Sequence, residues 1–414
     1  MDESLQLNTG KKLLLGFQHL FAMFGATVLV PALTGLNPSI ALICAGIGTL
    51  LFHVITKHKV PAFLGSSFAY ITALQTVIGT VPNAAYTGPT GISYAQGGII
   101  VSGIVYLALS GLVMLVGTER IRKFLPPIVV GPVIVVIGVN LAPTGIAMAA
   151  ENWWIALLVL AVIIGVSCFA KNFFKLVPIL LGLVVGYIAC LICDAFHLFA
   201  EPLVNLSLIS EAGWFIAPSA FSLPKFDAQA ILLIAPIAIV TFMEHIGDIT
   251  TNGSVVGKDF FKDPGLHRTL AGDGIASLFA GLIGGPPNTT YSENTGVLAV
   301  TKVYSTGVIK LAAIFAICLG LFGKLGAIIN GIPNAVKGGM SIMLFGMIAA
   351  VGMRTLVEAE LDFKHSRNLI ICALILVFGL GLSGGVTIGA MTFSGLFVAV
   401  LVGILANQIL PENV

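Results

Sequence analysis

The 414-residue sequence is 57% hydrophobic and 9% charged, with 20 Lys and Arg against 18 Asp and Glu and a mean hydropathy of +1.05. Soluble domains carry about 25% charged residues, so this chain cannot cover its surface against water, although it can against lipid. The near-neutral charge gives nucleic acid no footing. No Walker-type phosphate loop, Ser/His/Asp arrangement or metal-ligand cluster speaks for an ATP-driven pump, an enzyme or a cofactor.

The polar start MDESLQLNTGKK leads into an apolar run that reads as a first span and not as a cleaved leader. Helix-length runs then fall at about 13–34, 38–56, 61–79, 92–116, 124–148, 152–170 and 174–198. The stretch 199–228, with Glu201, Trp214, Pro218, Pro224 and Lys225, reads as an external linker. A second set follows at about 229–251, 269–285, 287–303, 306–330, 333–353, 367–384 and 386–408. Fourteen spans with a cytoplasmic N-terminus put every basic residue but Lys225, Lys324 and Lys337 inside, the bias expected of a plasma-membrane protein with both termini cytoplasmic. The runs 61–79 and 287–303 each begin with proline and carry GSSFAYIT and NTTYSENTG, which predicts broken helices.

The two sets of seven share landmarks. Gln18-His19 and Glu244-His245, Pro61 and Pro287, and Ser67 and Glu293 are all offset by 226 residues. Pro126 and Gly131 match Pro333 and Gly338 at an offset of 207. Seven is odd, so the second set enters from the opposite side. The repeat is therefore inverted, with a site near the midplane where the broken helices meet.

Four acids fall inside spans: Glu244, Asp248, Asp273 and Glu293; Asp194 lies near an interface. A charge at a helix centre costs at least about 2.5–3.5 kcal/mol in a membrane, so such acids point to function. Glu244 and Asp248 are spaced i, i+4 on one helix face without a basic residue in their span, which suits proton coupling. His53 and His58 read as flanking a cytoplasmic turn. His19 reads as a helix–helix hydrogen bonder, and His245 is balanced between packing and a site role. Cys190 and Cys193, a C-x-x-C within an apolar run, read as ordinary helix residues.

The motifs QHLFAMFGATVLVP (18–31), PAFLGSSFAYIT (61–72), EHIGD (244–248), DPGLHR (263–268) and NTTYSENTGV (288–297) resemble the nucleobase–ascorbate transporter family, in particular its bacterial uracil-permease branch. The resemblance implies an all-α polytopic fold of 14 segments, with short antiparallel strands in the third and tenth. It implies a core domain (13–116 and 229–330), a gate domain (124–198 and 333–408) and the linker 199–228. It also implies a homodimer through the gate domain. Glu244 and Glu293 would accept the ring N–H groups of uracil, and backbone N–H groups at Phe68 and Ser292 would donate to its carbonyls. Ser67 and Tyr291 would line the pocket, with Ser341 and Phe345 facing it from the gate. Glu244, Asp248 and Asp273 would carry the coupling proton.

The expected activity is proton-coupled uracil uptake across the plasma membrane. Asp248, where uracil permeases commonly have histidine, and Ser292, where they usually have glycine, leave xanthine or a broader nucleobase range as the alternative. Glu293 is the uracil-type residue. An anion exchanger on the same scaffold is disfavoured by the carboxylates in the pocket.

Overall fold

The computed structural model describes residues 8–79, 89–382, 384–388 and 391–411. In chain order these form α1 (Thr9–Thr34), α2 (Pro38–Ile55), β1 (Leu64–Ser66), α3 (Ile71–Ile78), α4 (Pro89–Val116), α5 (Thr118–Phe124), α6 (Pro127–Ala150), α7 (Trp153–Phe169) and α8 (Pro178–Ala195). A link with one short helix, α9 (Ser207–Glu211), leads to α10 (Ala228–Ile234), α11 (Ile237–Val256), α12 (Leu266–Ile283), β2 (Asn288–Thr290), α13 (Ser292–Thr301), α14 (Thr306–Leu321) and α15 (Gly323–Asn330). The chain closes with α16 (Asn334–Glu358), α17 (Ser366–Gly381), β3 (Val386–Ile388), β4 (Met391–Phe393) and α18 (Gly395–Ile409).

Among the described residues, seven helical stretches are long and apolar enough to cross a membrane: Thr9–Thr34, Pro38–Ile55, Thr90–Val116, Pro127–Ala150, Pro178–Ala195, Ala228–Val256 and Asn334–Glu358. Five shorter apolar helices accompany them. Their starts are locally encoded. Asn37 accepts from the Ser39 N–H (2.9 Å) ahead of α2, and Asn152 and Ser394 cap α7 and α18 in the same way. Pro38, Pro127 and Pro178 occupy the first turn, where a missing N–H leaves no bond unmade.

The packing relations come in matched pairs. α2 lies on α14 as α12 lies on α4, and α6 meets α17 as α16 meets α7. α7 packs on α8 as α17 packs on α18, and α6 and α16 pack along each other. That last contact is close because of glycine: a Cβ on Gly352 would lie 2.6 Å from the Gly131 carbonyl oxygen. Small residues are what allow helix backbones to approach this closely in lipid.

The structure departs from the sequence reading in three places. The run 306–330 is not one helix; it breaks at Phe322, whose ring stacks on Phe215 of the linker at 5.9 Å. The run 386–408 opens with the β3–β4 hairpin and turns helical only at Gly395; Val386, Thr387, Ile388 and Thr392 are β-branched residues that prefer the pleated form. His53 does flank the turn after α2, but it is fully buried and not open to solvent, with Nδ1 2.7 Å from the Thr49 carbonyl oxygen of its own helix. Asp194 lies at the end of α8, and its carboxylate accepts the Leu203 and Val204 N–H groups (2.7 and 2.9 Å).

Candidate functional site

The two broken segments meet. β1 pairs antiparallel with β2 in the register Leu64↔Thr290, Gly65↔Thr289 and Ser66↔Asn288. The Ser67 N–H donates to the Pro287 carbonyl and the Tyr291 N–H to the Phe63 carbonyl, both at 2.9 Å, which extends the ladder at either end. The backbone is thereby satisfied within the protein, the condition for non-helical chain at membrane depth.

Each strand runs directly into a helix. A single 3-10 turn, Phe68–Tyr70, continues into α3, and α13 begins at Ser292. As first residues of helices, Phe68 and Ser292 have N–H groups with no intrahelical acceptor, and the helix dipole makes these ends partially positive. Two sets of N–H donors therefore end next to one two-stranded sheet.

Tyr291 fastens this junction. Its hydroxyl donates to the Ser66 carbonyl (2.8 Å), and its ring lies over Gly65, where a Cβ would collide with it. Gly65→Val is expected to push Tyr291 out and separate the strands. Purified variant should show both a lower melting temperature and loss of ligand binding; an unchanged melting curve would show that the ring is free to move.

The acids come from neighbouring helices. α11 carries Glu244 and Asp248 on one face, and the Thr290 hydroxyl of β2 donates to Asp248 Oδ2 (3.0 Å). Among the described residues, Glu244 Oε2 is buried without a hydrogen-bond partner, and so are the hydroxyls of Ser67 and Ser341. Glu293 sits in the first turn of α13. Phe68 and Phe345 meet edge to face, 6.2 Å apart at 78°, which joins the β1–α3 segment to α16.

Two clefts adjoin these residues. One is lined by Phe68, Thr72, Asn140 and Ser394. The other is lined by Glu244, Asp248, Thr251 and Ser292 against Arg354 and Glu358 of α16. Arg354, Glu358 and Thr251 were not singled out by the sequence reading. The helical spacing 341, 345, 348, 351, 355, 358 along α16 would have placed Glu358 below Ser341 and Phe345, with Arg354 beside that stripe, and Thr251 lies one turn beyond Gly247 and Asp248 on α11.

Asp273 is not at this cleft. It is fully buried on α12, with Oδ2 2.8 Å from His245 Nδ1. His245 Nε2 lies 2.9 Å from Thr269 Oγ1, and that hydroxyl can also donate to the Leu266 carbonyl (2.9 Å). The Nδ1–Oδ2 contact requires one hydrogen, on the ring or on the carboxyl, and rotation of the Thr269 hydroxyl lets it donate to Nε2 or accept from it. His19, similarly buried, is held by Asn294 Nδ2, which donates to the His19 carbonyl (2.9 Å) and lies 3.2 Å from its Nδ1. This is the helix–helix role read from sequence.

The model of a permease family, Xan_ur_permease, matches residues 10–388. The uracil permease of Bacillus caldolyticus is 44% identical over 417 residues, covering 97% of this chain and 92% of that protein. The uracil permease of Escherichia coli strain K12 is 41% identical over 419 residues, covering 97% and 93%. Among solved structures, the transmembrane domain of the cyanobacterial bicarbonate transporter BicA superposes with a TM-score of 0.64, covering 96% of each chain. At 15% identity that likeness is one of fold alone.

Proposed function

This chain belongs to the nucleobase–ascorbate transporter family of permeases, and from that premise we propose that it takes up uracil across the plasma membrane in symport with protons. It is a multi-pass membrane transporter, not an enzyme. The observation that carries the substrate is the donor and acceptor set at the strand junction. Uracil offers two N–H donors and two carbonyl acceptors. Glu244 and Glu293 supply carboxylates, and Phe68 and Ser292 supply free helix-end N–H groups. Phe68 offers an aromatic face to the ring, with Ser67 and Tyr291 beside it and Ser341 and Phe345 opposite.

The matched packing of α2–α14 with α12–α4, and of α7–α8 with α17–α18, supports two inverted repeats of seven segments, each counting a broken one. In this reading 13–116 and 229–330 form the core domain, 124–198 and 333–408 form the gate domain, and 199–228 is external. The basic-residue bias supports cytoplasmic termini, and the family resemblance supports a homodimer through the gate. Glu244, Asp248 and Asp273 are the proton-coupling candidates; the fully buried contact between His245 and Asp273 supports the last.

Uptake of labelled uracil into proteoliposomes tests the reading. A pH gradient, acid outside, should drive accumulation, and an uncoupler should reduce it to simple equilibration. Accumulation that ignores the uncoupler would remove the proton. Asp248 supports a second reading, a xanthine or broader nucleobase carrier: under it, excess xanthine competes with uracil, and no competition at large excess discards it.

A further inference from the structure

We infer that Arg354 closes the inner mouth of the site by leaving Glu358 and pairing with Asp248 across the cleft. This rests on the reading of the chain as an alternating carrier. Arg354 is the one basic residue among those lining this cleft, and it faces the wall that carries Glu244, Asp248 and Ser292. Its present partner is on its own helix: Arg354 Nε lies 3.6 Å from Glu358 Oε1, with the two side chains 52% and 68% exposed. An exposed i, i+4 pair is held only weakly against water, so it is easily given up.

The opposite wall has acceptor capacity that a guanidinium could meet. Glu244 Oε2 is buried without a partner. Asp248 accepts the Thr290 hydroxyl at Oδ2, a neutral donor that would leave the carboxylate uncompensated whenever it is ionised. As the walls approach, water leaves and the attraction between guanidinium and carboxylate strengthens as both separation and dielectric fall. A guanidinium suits this role because its planar fork matches a carboxylate in two parallel bonds. Glu358 then acts as the resting partner that holds Arg354 back while the mouth is open. The two acids thus compete for one cation, and the outcome sets how wide the mouth stands.

The competition predicts opposite effects for its two ends. Thr251 lines the same cleft, and Thr251→Cys reports access to it. Inside-out vesicles are treated with a membrane-impermeant maleimide, and modification at position 251 is followed by peptide mass spectrometry. Arg354→Gln should speed modification by about fivefold, the population shift of roughly 1 kcal/mol. Glu358→Gln frees Arg354 for Asp248 and should slow it. Arg354→Lys, which keeps the charge without the fork, should return the rate partway. Equilibrium uracil affinity should stay within about twofold of the parent in Arg354→Gln, since the side chain acts on access and not on the ligand. If Arg354→Gln and Glu358→Gln move the rate in the same direction, or neither moves it, the pair is only a helix staple and the inference fails. Protection of position 251 by uracil is read in the parent alongside: its absence overturns the transport reading as well, whereas protection with unmoved rates overturns the inference alone.

Discussion

Glu293→Gln is expected to weaken uracil binding by about tenfold or more, with the fold intact. Glu293 lies in the first turn of α13, beside the free N–H of Ser292. A carboxylate there accepts a ring N–H in a charge-assisted bond, and such bonds contribute about 1.5–3 kcal/mol. Glutamine keeps the size and one acceptor, but its amide can rotate a donor against the ring N–H, and the charge is gone. Isothermal titration of purified protein with uracil gives the affinity directly. Near-wild-type affinity would place Glu293 outside the ligand's reach. The same variant also bears on substrate class: a gain in xanthine binding alongside the loss would make this position a selector between pyrimidine and purine.

The second large effect lies behind the site. Asp273→Ala should destabilise the protein by about 3–5 kcal/mol, because it leaves His245 with a buried, unpartnered ring nitrogen. Asp273→Asn should behave differently. Its amide can donate to Nδ1 of a neutral ring, so the contact and the packing survive. What is lost is a carboxyl group that can take up or release a proton. The expected phenotype is a melting temperature close to wild type, retained uracil binding, and counterflow exchange without accumulation driven by a pH gradient. Gradient-driven accumulation in Asp273→Asn would take the proton away from this pair and leave it to Glu244 and Asp248.

Much of the candidate site could be proposed from the sequence because lipid makes polar residues conspicuous. Glu244, Asp248, Asp273 and Glu293 stood out as acids within apolar runs, and GSSFAYIT and NTTYSENTG stood out as segments no lipid-facing helix would carry. The strand pairing of β1 with β2 realises that broken character. Partnerships were harder. His245 and Asp273 are 28 residues apart and meet only because α11 and α12 pack, a relation without sequence spacing of its own. Arg354 was counted as one more cytoplasmic basic residue, since composition does not tell a side chain that faces bulk water from one that faces a cleft. The hairpin before α18 was hidden for another reason. Residues 386–393 are apolar enough to pass for the start of the span read at 386–408, and hydropathy over a long window averages away their β-branched pattern.

The three-rung sheet also sets an order of events during synthesis. Leu64 and its partner Thr290 are 226 residues apart. At about 5–20 residues per second, a ribosome takes roughly 10–45 s to make the second strand after the first has emerged. For that interval Leu64–Ser66 is a strand without its mate, and unpaired backbone groups in hydrocarbon cost several kcal/mol each. The first broken segment must therefore wait at a wet or protein-lined place, beside the insertion machinery or near the interface, until Asn288–Thr290 arrives. The transport site is consequently among the last parts to form, and a nascent chain arrested short of Thr290 would expose a strand edge that quality-control proteases can recognise.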